Sequence, residues 1–257
     1  MRLSAAFLAI VLAALAPRPV VAAGAPAVAA ASDLKFALEE IAAAHVRAGG
    51  EPVRLVFGSS GNFRRQIAEG APFELFLSAD EAYVEALARE GRLEDSGVLY
   101  AVGRLVLFAP AGSPVDPGRG LVALAGLAQE GRIGKIAIAN PLHAPYGRAA
   151  KEALENAGVW RDLEGRIVLG ENVSQAAQFA TSGNASAGLI AYSLALSPAL
   201  AGKGRYALLP ETAHAPLRQR MALVKGAGPA ARAFFRHLQS PAARAVFSRF
   251  GFALPDR

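Results

Sequence analysis

From residue 27 onward, short apolar runs alternate with stretches of helical spacing, and that rhythm restricts the fold more than any single motif. "AVAAAS" (27–32) is followed by "DLKFALEEIAAAHV", in which Leu34, Ala37, Leu38 and Ile41 recur at helical intervals. "VRLVFG" (53–58) puts Val53, Leu55 and Phe57 on one face, then a loop of glycine and serine leads into a helix through Phe63 and Ile67. "FELFLS" (73–78) precedes a helix capped by Asp80. A second set starts at "GRLVLFAP" (103–110) and continues with "KIAIAN" (135–140), a helix that Gly158 stops, "RIVLG" (166–170) and "AGLIAYS" (187–193). "MALVKG" (221–226) and terminal helices close the chain. Strand-then-helix order predicts an α/β protein of mostly parallel sheets with helices on their faces. Crossings near 103–110 and 208–224 divide it into two lobes, 24–104 with 215–257 and 105–214, and leave a cleft between them.

The first 23 residues stand apart. "MRLSAAFLAIVLAALAPRPVVAA" has an early arginine, an apolar stretch from Ala5 to Pro17 and small residues at its end, the pattern of a cleaved export signal. It is too short for a membrane helix, and no later segment approaches the roughly 20 apolar residues that one needs. The expected site of action is therefore periplasmic. The absence of cysteine excludes disulfides, thiolate metal sites, cysteine nucleophiles and a cysteine-linked lipid anchor. Loss of Arg2 and Arg18 with the signal lowers the formal charge from +6 to +4. The arginines are scattered, without a basic block or interleaved aromatics, so no nucleic-acid partner is expected. A positive bias of this kind helps draw small anions in.

Ligands of open α/β sheets bind beyond the carboxyl ends of the strands. Ser32, the Gly58–Gly61 loop, the Pro145–Gly147 turn and the Glu171–Val173 junction all lie there. Each also begins a helix, where unpaired N–H groups and the macrodipole favour an anion. Ser32 and Ser60 offer hydroxyls. Asn172 with Gln175 fits a capping box that leaves the Val173 amide free. Tyr192 ends a buried strand with a phenol. Four such starts facing one cleft make a site of donors with no fixed cation, and no carboxylate is expected to point into it.

Other chemistries fit less well. "GSSG" lacks the G-x-S-x-G spacing of a nucleophile elbow, and nothing in the sequence brings His45, His143, His214 or His237 to Ser60. His45 reads as a surface residue. The phosphate-loop pattern is absent, and His143 has no partners at metal-ligand spacing.

The segments "AAASDLKFALEEIA", "FGSSGNFRRQIAEGAPFELFLSAD", "NPLHAPYGRAAKEAL", "GENVSQAAQFATSGNASAGLIAYS" and the closing "FGF" together resemble the periplasmic molybdate-binding proteins of ABC transporters, over nearly the whole chain after residue 23. The resemblance implies the two-lobed fold of type II periplasmic binding proteins, with a tetrahedral oxyanion held between lobes. It implies hydroxyl and amide contacts from Ser32 and Ser60, backbone amides from Tyr146 and Val173, and the Tyr192 hydroxyl. Tyr146 stands where some members carry a small residue, so its ring bears on lobe closure; Glu74 replaces a frequent aspartate at a position read as structural. The implied ligand is molybdate, with tungstate beside it, and no resident cofactor, no direct protein–metal ligand and no enzymatic step. A membrane permease is the implied partner of a monomeric receptor. A receptor for another oxyanion such as sulfate is the nearest alternative, a secreted serine hydrolase the more distant one.

Molybdate and tungstate are bare dianions at neutral pH and only accept hydrogen bonds, so a donor-only site suits them. A protonated phosphate also needs an acceptor.

Overall fold

The computed structural model describes residues 24–255; the export segment read at residues 1–23 lies outside the described residues. β1 (Ala27–Ala31) and a 3-10 turn (Ser32–Leu34) lead into α1 (Lys35–Arg47), β2 (Arg54–Gly58) into α2 (Ser60–Ala68), and β3 (Leu75–Ser78) into α3 (Glu81–Arg89). β4 (Val98–Gly103) then passes through Arg104 into β5 (Leu105–Pro110). Next come α4 (Val122–Gln129), β6 (Ile136–Ala139), α5 (Pro145–Asn156), the single turn α6 (Trp160–Leu163), β7 (Ile167–Gly170), α7 (Val173–Thr181) and β8 (Ala187–Ala191). The single turn α8 (Tyr192–Ala195), β9 (Gly204–Leu208), β10 (Leu217–Leu223), α9 (Pro229–Leu238) and α10 (Pro241–Arg249) complete the order.

The strands form two five-stranded sheets, ordered β2-β1-β3-β10-β4 and β7-β6-β8-β5-β9. In each, the three strands joined through helices are parallel, β1 with β2 and β3, β6 with β7 and β8. One strand runs against its neighbours: β10 in the first sheet and β5 in the second. These are the strands reached by crossing from the other sheet. Arriving without a helical crossover, they are free of the constraint that makes the others parallel. Both sheets are therefore mixed.

β1, all small apolar residues, is buried along its whole length, as a strand covered by helices on both faces must be. Its alanines leave room for α1, whose Ala37, Leu38 and Ile41 face the core. Asp80 caps α3 by accepting the Ala82 amide at 3.0 Å. Glu74 accepts the Gly228 amide at 2.7 Å, a structural role that ties β3 to the start of α9.

Several details depart from the sequence reading. β10 starts at Leu217, four residues before the apolar run at Met221, because Leu217, Gln219 and Met221 turn inward while Arg218 faces water. β9 is a sheet-edge strand exposing Arg205, Tyr206 and Leu208, so it carries no apolar run to announce it. His45 is not a surface residue. It is 6% exposed, packed between Phe234 and His237 at ring distances of 5.3 and 4.9 Å. Burial, and then the neighbouring His237, lower its pKa.

Candidate functional site

The carboxyl ends of β1, β2, β6 and β7 deliver the starts of four helical segments to one place. Between them lies a small cavity lined by Ser32, Asp33, Ser60, Tyr146, Asn172 and Val173, among others. The space open to the centre of a water-sized sphere is about 10 Å³. A sphere of that size plus the radius of a water gives a hole roughly 2.7 Å in radius. That admits one compact ion and excludes a sugar or peptide, whose sites run to hundreds of cubic ångströms.

The hydrogen bonding around the two serines decides what they can offer. The Ser60 hydroxyl accepts the Ala79 amide at 3.0 Å, and the Ser32 hydroxyl, at 3.3 Å, shares the Ser174 amide with Asn172 Oδ1, which takes it at 3.0 Å. A hydroxyl that accepts from the protein keeps its own hydrogen for another acceptor. Both serines are buried, Ser60 completely, and line the cavity, so each hydroxyl hydrogen is available to an acceptor placed there.

The helix starts behave similarly. Asn172 takes the amides of Ser174 and Gln175 at 3.0 and 3.1 Å, and Gln175 reaches back to the Glu171 amide at 2.6 Å. This cap accounts for the second and third amides of α7. Val173 supplies the first, which has no intrahelical acceptor. In α5, Pro145 occupies the first position and has no N–H, so the Tyr146 amide is the first donor of that helix.

Four of the five residues singled out in the sequence thus share one cavity: Ser32, Ser60, Tyr146 and Val173. Tyr192 does not line it. Its ring lies 5.7 Å from that of Tyr206, with the Arg104 guanidinium 5.6 Å from its centre. Gly251 packs directly against the ring, where a Cβ would come within 2.4 Å of it. β8 ends at Ala191, and the single turn that follows aims the phenol at the edge strand β9 and the carboxyl-terminal segment.

The phenol beside the cavity is that of Tyr146. Its side chain is 2% exposed and crosses from α5 to the first sheet, where its hydroxyl lies 3.4 Å from the Gln219 amide nitrogen. A Cβ on Gly103 would stand 2.3 Å from that hydroxyl and 2.8 Å from the Gln219 amide nitrogen, so a side chain at the end of β4 would force these buried groups to shift. Gln219 donates to Asp33 Oδ2 at 2.6 Å and accepts from the Tyr100 hydroxyl at 2.7 Å. The absence of a carboxylate from the site is therefore corrected: Asp33 forms part of the wall, 1% exposed, and its Oδ1 has no partner. Burial raises its pKa to about 6, against the opposing pull of the Gln219 amide and the Tyr146 hydroxyl. Burial, and then the nearby Asp33, push the Tyr146 phenol well above its ordinary range.

His143 closes the cleft from the second sheet's side. Its carbonyl accepts from Ser59 Oγ at 2.5 Å and from the Gly61 amide at 3.0 Å, while its Nδ1 lies 2.9 Å from the same Oγ. Nothing in the sequence brings a histidine to the serine pair, and the fold does so through Ser59. Ser59 Oγ thus stands within hydrogen-bond distance of both the carbonyl and the ring nitrogen of His143. Gly61 allows this approach, since a Cβ there would meet the His143 carbonyl at 2.5 Å. Arg148 bonds Asp80 at 2.5 Å, and Asn62 bonds Glu171, so several polar contacts hold the two halves together. Among the described residues there is no cluster of three or more metal-ligating side chains.

Asp33, Gln219 and His143 were missed in the sequence. Gln219 had a signal: it is the one uncharged polar residue at an inward position of an alternating strand. His143 had none, because the contact spans 84 residues of chain.

A pair of mixed α/β halves closed around an ion-sized cavity of hydroxyl and amide donors defines a solute-binding protein. Residues 26–253 match the family of bacterial extracellular solute-binding proteins, and the chain belongs to it. It is 36% identical to the molybdate-binding protein ModA of Rhodobacter capsulatus, over 90% of this chain and 89% of that one. ModA of Azotobacter vinelandii is 35% identical over 88% and 89%. The solved periplasmic molybdate-binding protein of Azotobacter vinelandii superposes with a TM-score of 0.81 at 30% identity, over 90% of this chain and all of that one. A sulfate-binding protein of Mycobacterium tuberculosis shares the fold, with a TM-score of 0.70 at 15% identity over 90% of this chain and 87% of that one.

Proposed function

We propose that this chain captures molybdate, and tungstate with it, outside the cytoplasm and presents it to an ABC permease. The observation that carries the reading is the pair of serine hydroxyls, each accepting from the protein and so left with a hydrogen for a ligand acceptor. The ion-sized cavity and the likeness to molybdate-binding relatives support the same ligand. The Ser32 and Ser60 hydroxyls and the Tyr146 and Val173 amides hold the oxyanion, two groups from each half, so binding favours the closed arrangement. No resident cofactor takes part, and the metal atom is held through its oxygens without a protein ligand. The receptor acts as an exported monomer, delivered by residues 1–23, with no nucleic-acid partner and no catalytic step.

Isothermal titration with molybdate, tungstate, sulfate and phosphate tests this. One-to-one binding of the first two, with the others silent, is the expected result. Heat from sulfate alone refutes the choice of ligand, and covalent labelling of Ser59 or Ser60 by a serine-reactive probe refutes the assignment as a binding protein.

A further inference from the structure

Asp33 follows Ser32 directly and lies on the cavity wall, yet the donor set around it leaves its charge unmatched. Its Oδ2 accepts from the neutral Gln219 amide at 2.6 Å, the Tyr146 hydroxyl stands close enough to the carboxyl group to pull its pKa down, and its buried Oδ1 has no partner at hydrogen-bond geometry. The groups facing it from each packed element can be named. β10 contributes Gln219, while Arg218 and Arg220 of that strand are turned to Glu81. α5 contributes the Tyr146 phenol and β4 the Tyr100 phenol, both titrating well above the ordinary tyrosine range because they are buried and face Asp33. α8 contributes Ser193, whose hydroxyl donates to the Asp33 backbone carbonyl at 2.8 Å. α7 contributes Ser174, which is occupied with Ser32. α1 contributes Lys35, whose ammonium is held by Glu39 at 2.5 Å and lies 5.3 Å from the centre of the Phe57 ring. None of these supplies a cation to the carboxyl group.

An ionised Asp33 would be an acceptor in a wall otherwise made of donors. With a dianion in the cavity it would also add a further negative charge in a closed, low-dielectric space, which favours the neutral form of the acid. A proton on Oδ1 resolves both conflicts. It neutralises the carboxyl and turns the one unpartnered acceptor into an O–H donor, so the wall becomes donor-only.

We propose that oxyanion capture is coupled to proton uptake at Asp33: the loaded site holds the dianion together with one proton, taken from solvent, on the Asp33 carboxyl group. This rests on the reading that the cavity takes an oxyanion. Burial already raises the group to about 6 in the empty protein, so above neutral pH the free receptor starts ionised and must gain the proton on loading. The pH dependence has a definite sign. Affinity is greatest below the free protein's titration and falls as pH rises above it, by up to tenfold per unit.

The test is titration of the whole protein with molybdate at pH 7.5 in two buffers of different ionisation enthalpy, then across pH 6.5–8.5 in one of them. Uptake of half a proton or more per anion, with affinity weakening at least threefold per pH unit, is expected for the native protein. Asp33→Asn should show uptake below a tenth of a proton and a flat profile. Uptake below one half in the native protein overturns the proposal, as does native-like uptake in the variant, which would place the proton elsewhere. If the variant fails to fold, the two-buffer result on the native protein decides alone. Binding without proton uptake leaves the oxyanion reading intact and removes only Asp33's role; no heat from molybdate, tungstate, sulfate or phosphate removes both.

Discussion

Ser60→Ala deletes one oxygen at a position with two separable duties. The Oγ accepts the Ala79 amide at 3.0 Å in a fully buried setting, so its loss strands a buried N–H and should cost roughly 1–3 kcal/mol of folding stability. In the proposed complex the hydroxyl hydrogen, freed by that same bond, goes to the oxyanion. A hydrogen bond to a charged partner contributes roughly 1.5–3 kcal/mol, which corresponds to a dissociation constant about 10- to 150-fold weaker. The stranded Ala79 amide weakens the empty and loaded protein alike and therefore cancels from the affinity. Denaturation of the empty protein reads the first duty and calorimetric titration with molybdate reads the second. A variant that loses stability but binds within twofold of the native protein would refute the argument, because Ser60 would then be a structural acceptor with no hydrogen for the anion.

Gly103→Ala should lower the melting temperature, since the new Cβ would meet the Tyr146 hydroxyl at 2.3 Å; adding Tyr146→Phe removes that oxygen and should recover part of the loss, and a neutral Gly103→Ala would show that the contact relaxes freely. Tyr192→Phe should leave molybdate affinity within twofold, because the ring packs on Tyr206 and Gly251 away from the cavity; a tenfold loss would mean that it swings in on binding. Asp33 also makes folding pH-dependent. Its folded pKa of about 6 lies above the ordinary 3.8, so as pH rises between those values the unfolded chain loses its proton first and the folded state is penalised. Denaturation of the empty protein should show native stability falling relative to Asp33→Asn between pH 4 and 7, by an amount on the order of 3 kcal/mol, and a constant difference would refute it.

The spacing of apolar residues carried the strand-then-helix order, and with it the expectation that Ser32, the serine loop, the Pro145 turn and the Val173 junction lie at strand ends. These were legible because strand direction and helix start are local properties, set by period, by caps such as Asn172 and by Pro145 at a first helical position. The cap at Asn172 illustrates how far this goes: donor, acceptors and the free Val173 amide all lie within five residues. Strands such as β9 escaped because an edge strand buries too little to need an apolar run.

What the sequence alone determined was therefore a set of helix starts, an α/β order and a chain without thiol chemistry. Which groups meet depends on how the two sheets pack. Asp33, Tyr146, Gln219 and Tyr100 come from four elements separated by up to 186 residues, and burial there pushes the aspartate up to about 6. The turn after β8 sends Tyr192 away while Tyr146 reaches across, and His143 meets Ser59 over 84 residues of chain. The physical reason is that capping and periodicity act between neighbours along the chain. Desolvation, charge balance and the direction in which a hydroxyl spends its hydrogen depend on neighbours in space, and those exist only once the two sheets have packed.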